Sequence, residues 1–339
     1  MIIDCAHYQD GHRTDESPMP LEEAVARATQ GGFVWLGLFE PEEAEMAQVG
    51  ETFGLHELAI EDAQNVHLRP KIEDYDGDVR LVILRTTRYN DAAEEVEFGH
   101  LATFVAPTFV ITVRRGVASG LAEARQRLER RPELLAAGSS AVLWAVLDEV
   151  VDGYAPVVAA LDLDIEEVEA TVFSGAVAPT ERIYSFRSEA TDFYRAAHPL
   201  LGVVATIEDT TASPEVRPYL RRVREHLLQV DEEVAAQRDR LSTVLQANMA
   251  VISVEQTKLG VQQNSTIEQL TILATIFLPL TFITGVFGQN FAWHTLDLPA
   301  YTAVIFYAVP LVVLVWWLTT RRPRAAIGAT GETAGALRR

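Results

Sequence analysis

The stretch GVFGQNF, Gly285 to Phe291, sets glycines, an amide pair and aromatics where one long apolar run stops and, after a short gap, another begins. Asn290 offers a side-chain carbonyl there, and Gly288 a backbone that turns without a Cβ penalty. Upstream, stepping 3, 4, 3, 4 from Asn264, one stripe contains Asn264, Ile267, Thr271, Ala274, Leu278, Thr281 and Gly285. It is richer in small and hydroxyl residues than its flanks, Leu273, Ile276, Phe277, Leu280 and Phe282. Amide and hydroxyl oxygens are uncharged hydrogen-bond acceptors, so the chemistry they offer is binding rather than bond making. Small residues also suit close helix packing, which leaves two readings of the stripe by itself, a packing face or the wall of a pore.

Other reactive residue types narrow the field. LDLDIEEVEA places Asp162, Asp164, Glu166, Glu167 and Glu169 on one helix, either as a solvated face or as an electrostatic funnel for cations. The chain holds 28 Lys+Arg against 48 Asp+Glu, a formal charge of −20, which argues against nucleic acid or anionic lipid as the main ligand and for cations. Cys5 is the only cysteine, which excludes an internal disulfide framework and a Cys-based zinc site and fits a reducing compartment. The eight histidines are scattered, and His294 has no partner at metal-ligand spacing, so it reads as a surface residue rather than a zinc ligand. No catalytic constellation stands out, and neither a phosphate loop nor a nucleophile elbow appears in the first part of the chain. The sequence does not read as an enzyme.

The elements that must position these residues fall into a clear order. FVWLGLF (Phe33 to Phe39), VRLVILRT (Val79 to Thr86), LATFVA (Leu101 to Ala106) and TFVITV (Thr108 to Val113) read as strands. PEEAEMAQVGETFG starts a helix at Pro41 and its acids and ends it on Gly54. Residues 1–120 therefore form an α/β domain. Over 121–213 helical periodicity takes over, with a hairpin around the SGAVAP break at Ser174 to Pro179. From Tyr219 to Leu278 there is no proline and one glycine, Gly260, so 214–269 reads as a stalk helix continuing toward the membrane. Sixty residues span roughly 90 Å at 1.5 Å per residue. Leu220, Val223, Leu227, Val230, Val234, Leu241, Val244 and Val251, interrupted by Gln237 and Asn248, have the spacing of a coiled-coil seam and point to an oligomer.

Leu270 to Gly288 carries no charge and is long enough to cross a bilayer; Tyr301 to Thr320 is a second such span. With the connection at 289–300 so short, both ends of the hairpin return to one side. Arg321, Arg322 and Arg324 open a basic tail, 321–339, which the positive-inside rule places in the cytosol together with the N-terminal region. The start of the chain has no basic, then apolar, secretory signal. The expectation is a multi-pass protein of the cell (inner) membrane, in contact with the lipid bilayer, with both termini cytoplasmic. Trp316 and Trp317 sit near the inner interface as an anchor. The stripe prolongs an oligomerisation seam and the region before it is acidic, which tilts its reading toward a channel wall made by identical helices.

The stretch from Asn264 through LTILATIFLPLTFITGVFGQNF resembles the CorA family of magnesium transporters, whose first membrane helix ends in an aromatic followed by a Gly-Met-Asn signature. FGLHELAIEDAQNVHLRPKIEDYDG, Phe53 to Gly77, is similar to that family's N-terminal domain, so the likeness spans most of the chain. The resemblance implies a homopentamer with a cytosolic α/β funnel domain, a long stalk helix running into the pore and a two-helix membrane hairpin. It implies an outer ion site at Phe287, Gly288, Gln289 and Asn290, with Gly288 and Asn290 meeting the metal through its bound water. Along the pore it implies Asn264 near the cytosolic mouth, Leu278 as a hydrophobic constriction and Thr281 as a polar site, with Leu270 just off the stripe as another constriction. Magnesium is then both the transported and the regulatory ion, bound between cytosolic domains by carboxylates that the sequence does not assign, with no covalent cofactor.

Magnesium gives up its six waters reluctantly, so a filter recognises the hydrated ion more easily than it strips it. A ring of neutral oxygens accepts hydrogen bonds from those waters without the trapping that carboxylates cause. A divalent cation entering an inside-negative cell gains about 4.6 kcal/mol per 100 mV, so the missing nucleotide motif does not count against transport. This chain departs from the signature at Gln289, where the family has Met, and its outer loop has only Asp297 as an acid. A zinc-transporting branch of the superfamily varies at that middle position, which keeps zinc or another transition metal open, beside cobalt and nickel. A membrane-anchored sensor that conducts nothing is the reading from a different class.

Overall fold

The computed structural model describes residues 1–15, 19–117, 120–211 and 213–288, with Val312, Val313 and Trp316. Seven strands form one sheet: β1 (Ile2–Gln9), β2 (His12–Arg13), β3 (Phe33–Phe39), β4 (Lys71–Tyr75), β5 (Val79–Asn90), β6 (Glu95–Ala106) and β7 (Phe109–Gly116). Their order is β2-β1-β3-β7-β6-β5-β4, with β3 and β7 parallel and every other neighbour antiparallel. The nearly unbroken apolar runs of β3 and β7 suit strands covered on both faces. Side-chain alternation then feeds two cores. Val34, Leu36, Leu81, Ile83 and Ile111 enter one, and Phe33, Trp35, Val82, Leu84 and Val110 the other.

The first core is covered by α1 (Leu21–Ala28), α2 (Glu43–Phe53) and α3 (Glu57–Gln64). The helix expected after Pro41 begins with a capping box, in which the Glu45 carboxylate accepts from the Glu42 N–H at 3.0 Å. It stops at Gly54, whose φ of 66° belongs to the left-handed region that glycine occupies without penalty. The second core takes α4 (Leu121–Glu129), α5 (Pro132–Leu135), α6 (Ser139–Asp152), α7 (Tyr154–Phe173), α8 (Thr180–Thr210) and the first part of α9 (Arg217–Gly288). α7 and α8 flank the Ser174 to Pro179 break.

The chain divides into two compact units, Met1–Ile252 and Ser253–Arg339. Divisions at 120/121 and at 213/214 both fall inside the first unit, because the sheet and the helices share one core.

One expectation is overturned. Leu220, Val223, Leu227, Val230, Val234, Leu241 and Val244 are buried within a single chain, in the same core as Val157, Leu161, Ile165 and Phe193. The seam is an intramolecular one, facing α7 and α8, and does not by itself report a second copy. Its polar interruptions fix register inside the chain: Gln237 donates to the Val158 carbonyl at 2.9 Å, and Asn248 bonds both backbone groups of Ala178. A 3-4 apolar stripe states that one helix face is buried; it does not state which helix buries it.

In the second unit the described part of α9, 253–288, has a different character. Val254, Leu259, Val261, Ile267, Leu270, Leu273, Phe277, Leu278 and Phe282 are all exposed. Among the described residues α9 is the one helix long and apolar enough to cross a membrane.

Candidate functional site

Asn264, Thr271, Leu278, Thr281 and Gly285 lie on the uninterrupted α9. With Ile267 and Ala274 they occupy one sector about 100° wide at 3.6 residues per turn, and Leu270 lies about 20° outside it. All of these residues are exposed, Leu278 at 72%. The structure therefore brings the stripe together on one face and, among the described residues, leaves that face exposed.

The hydroxyls on this face are already half used. Thr271 donates to the Ile267 carbonyl at 2.7 Å and Thr281 to the Phe277 carbonyl at 2.7 Å. With its proton committed to the helix, each oxygen faces outward as an acceptor only. Waters coordinated to a cation turn their protons outward, so they are the donors such oxygens need. From Gln269 to Gly288 there is no titratable side chain, and the face keeps this character across pH.

Thr275 was missed by the sequence reading. Pro279 lies inside α9 without ending it. Having no N–H, it removes the partner of the Thr275 carbonyl, which becomes a further uncharged acceptor within the apolar span. The Thr275 hydroxyl donates to the Thr271 carbonyl at 2.6 Å. Thr275 borders the sector on the side opposite Leu270. The signal was available: a proline four residues downstream in an otherwise continuous helix.

Phe287 and Gly288 fall in the last turn of α9. Gln289, Asn290, His294, Asp297 and Trp317 lie outside the described residues, as does the second span apart from Val312, Val313 and Trp316, which are helical and exposed. Of the five acids named on α7, Glu166 is exposed and the other four have partners within the chain. Asp162 and Glu169 hold Arg240 at 2.7 and 2.6 Å, Glu167 holds Arg182 at 3.1 Å, and Asp164 accepts from the Tyr89 hydroxyl. Arg182 beside Glu167 keeps its carboxyl below the usual carboxylate range. Among the described residues of one chain, no three His, Cys, Asp or Glu side chains converge on a metal position.

Known proteins share this organisation. The family described as CorA-like Mg2+ transporter protein matches residues 30–322. The cobalt/magnesium transport protein CorA of Thermotoga maritima is 27% identical over 265 residues, 76% of this chain and 73% of that protein. YfjQ of Bacillus subtilis, named for metal ion transport, is 28% identical over 296 residues, 84% of this chain and 88% of its own. The zinc transport protein ZntB of Yersinia pseudotuberculosis is 25% identical over 302 residues, covering 87% and 89%. The complete structure of the CorA magnesium transporter from Methanocaldococcus jannaschii superposes with a TM-score of 0.62 at 17% identity, covering 96% of this chain and 100% of that one.

Proposed function

Since this chain belongs to the family of CorA-like Mg2+ transporter proteins, and so is a membrane transporter of divalent cations, we propose that its copies set their α9 stripes around one axis as a channel for hydrated Mg2+. The observation that carries this reading is the face of α9 that stays exposed among the described residues, where Asn264, Thr271 and Thr281 present uncharged acceptors in an apolar segment. In this reading the copies number five, Tyr301 to Thr320 returns the chain to the cytosol, and both termini are cytoplasmic.

The ion keeps its waters. At the outer end Asn290 and the Gly288 backbone form a collar of oxygens that accept hydrogen bonds from the hydrated ion, with Phe287 anchoring the turn. Inward, Thr281, the free carbonyl of Thr275 and Thr271 repeat that offer. Leu278 between them is a ring of apolar side chains that closes by dewetting. The membrane potential supplies the drive, about 4.6 kcal/mol per 100 mV for a divalent ion. Cytosolic Mg2+ held by carboxylates between copies closes the pore, and its loss releases like-charge repulsion.

Gln289 in place of Met, together with the likeness to a zinc transport protein, supports a second reading in which a transition metal is the cargo. Flux into proteoliposomes with Mg2+, Co2+, Ni2+ and Zn2+ side by side separates the two. Magnesium flux that an exchange-inert mimic of the hydrated ion blocks is the expected result. Dominant Zn2+ flux, insensitive to that mimic, selects the second reading, and no flux of any ion overturns both.

A further inference from the structure

His100 stands inside the sheet on β6, in register with Arg85 of β5 and Arg115 of β7. It is buried, and neither ring nitrogen has a hydrogen-bond partner among the described residues. The charged or titratable groups that act on it are His67, Arg115 and Arg85, and all three oppose a positive charge there. The nearby carboxylates are engaged elsewhere: Asp192 of α8 acts on Arg85, and Asp62 of α3 faces His67 at 3.4 Å. A proton arriving on the covered ring therefore finds neither an acceptor nor a counter-ion.

What lies against that ring is lightly held. The His67 ring is 5.8 Å from that of His100, tilted by 31°. His67 belongs to residues 66–70, which join α3 to β4, and none of these has a backbone–backbone hydrogen bond among the described residues. Val66 and Leu68, on either side of His67, are exposed, and Pro70 is the one buried residue of the segment. Its polar attachment is the bond that His67 donates from Nε2 to the Asp62 carbonyl at 2.9 Å. The Asp62 carboxylate is shared with Lys71, at 2.7 Å. Segments with few buried contacts and no backbone ladder open at a small fraction of the global unfolding free energy. Arg85 and Arg115, by contrast, are fixed in strand ladders, so His67 is the neighbour that can leave.

From this arrangement we infer that residues 66–70 are a proton-operated flap: a proton taken up by His100 drives His67, and the segment that carries it, off the sheet between the end of α3 and the start of β4. Opening brings the His100 ring to water, which solvates the new charge among Arg85 and Arg115, and loss of the proton lets the two rings pack again. Burial, followed by the charges of His67, Arg115 and Arg85, holds the covered ring down at about 4, so uptake of the proton and opening of the flap are one event. The device stands on residues of the first unit alone and does not depend on the transport reading.

The test is fluorine NMR of the detergent-solubilised full chain carrying a trifluoromethyl tag on Leu68→Cys, and separately on Val66→Cys; Cys5 is buried and escapes labelling. A second resonance is expected to grow as pH falls. With an exposed ring titrating near 6.5 and the covered one at about 4, the open-to-closed ratio should rise about thirtyfold between pH 7.5 and 5.0. His100→Leu should hold that ratio constant across the range. His67→Gln keeps a donor for the Asp62 carbonyl, removes one opposing charge and should blunt the response without abolishing it. A single resonance at pH 5.0 at both tagged positions, or the same pH response in His100→Leu, overturns the inference. So does a second resonance that appears only together with cooperative loss of circular dichroism, since the event is then global unfolding.

Discussion

Asn248, fully buried on α9, holds Ala178 through both backbone groups: its Oδ1 accepts from the Ala178 N–H and its Nδ2 donates to the Ala178 carbonyl, each at 3.1 Å. The amide thereby pins the entry of α8 to the long helix. Asn248→Ala leaves a buried N–H and C=O unpaired, and the expected loss is about 2–4 kcal/mol. Gln237 makes one bond, to Val158, and its Oε1 has no partner, so Gln237→Met should cost much less. Denaturant titration of the full chain measures both. Hydrogen exchange at the Ala178 amide should accelerate in the Asn248 variant alone.

These two residues also show what the sequence could and could not say. Gln237 and Asn248 were legible as polar interruptions of an apolar stripe, and the stripe as a buried face. What lay against it was not legible, because the same spacing serves an intramolecular core and a contact between copies. The same limit applies to strands. β3 and β7 announce themselves by apolar and branched residues, while β4, with its sequence KIEDY at the sheet edge, is mostly charged and polar and gives no such signal. β1 mixes exposed Ile2 and Ile3 with buried His7, inverting the usual pattern. The α9 stripe was legible in full because a single helix fixes its geometry; Thr275 was lost because its role is carried by the backbone and set by Pro279.

His100 offers a pH test of the first unit. It is 3% exposed, neither ring nitrogen has a partner, and Arg85 and Arg115 lie opposite it on β5 and β7. Burial first, and then the charges of His67, Arg115 and Arg85, push its pKa down to about 4. The unfolded chain takes up this proton near pH 6.5, before the folded one does. The stability it confers is therefore complete above pH 6.5 and is lost as pH falls toward 4, by about 3 kcal/mol in total. His100→Leu should flatten that part of the profile. Denaturation midpoints at pH 7.5 and 5.0, compared between wild type and variant, isolate the contribution from other titrating groups; equal pH slopes would exclude it.

Thr271 separates a pore wall from a packing face. Thr271→Val barely changes volume and removes the outward acceptor together with the side-chain bond to the Ile267 carbonyl, which keeps its backbone donor in the helix. If the face lines a pathway for hydrated ions, Thr271→Val should lower Mg2+ flux several-fold and Thr271→Ser should retain it. A face that merely packs against another helix gives the opposite order, since valine fills the same space and serine leaves a void. Proteoliposome flux beside oligomer size on a sizing column reads both.

Leu278 is the most demanding test of the arrangement, because its 72% exposure in one chain has two incompatible outcomes in a membrane. Turned toward lipid, it is one apolar residue among many, and Leu278→Ala changes little beyond a small loss of buried area. Turned toward its own copies, it forms a ring whose closure depends on excluding water, and shortening every side chain at once widens and wets the constriction. Leu278→Ala should then raise leak flux about tenfold at cytosolic Mg2+ levels that close the wild type. Leu278→Cys should form disulfide-linked dimers under mild oxidation in the closed state. Asn290→Ala completes the set: it should abolish flux with oligomer size intact, because in the proposed channel the collar is what recognises the ion and the Leu278 ring only admits or refuses it. Absence of the Leu278→Cys crosslink with unchanged leak in Leu278→Ala would place this face against lipid and remove the axis on which the transport reading rests.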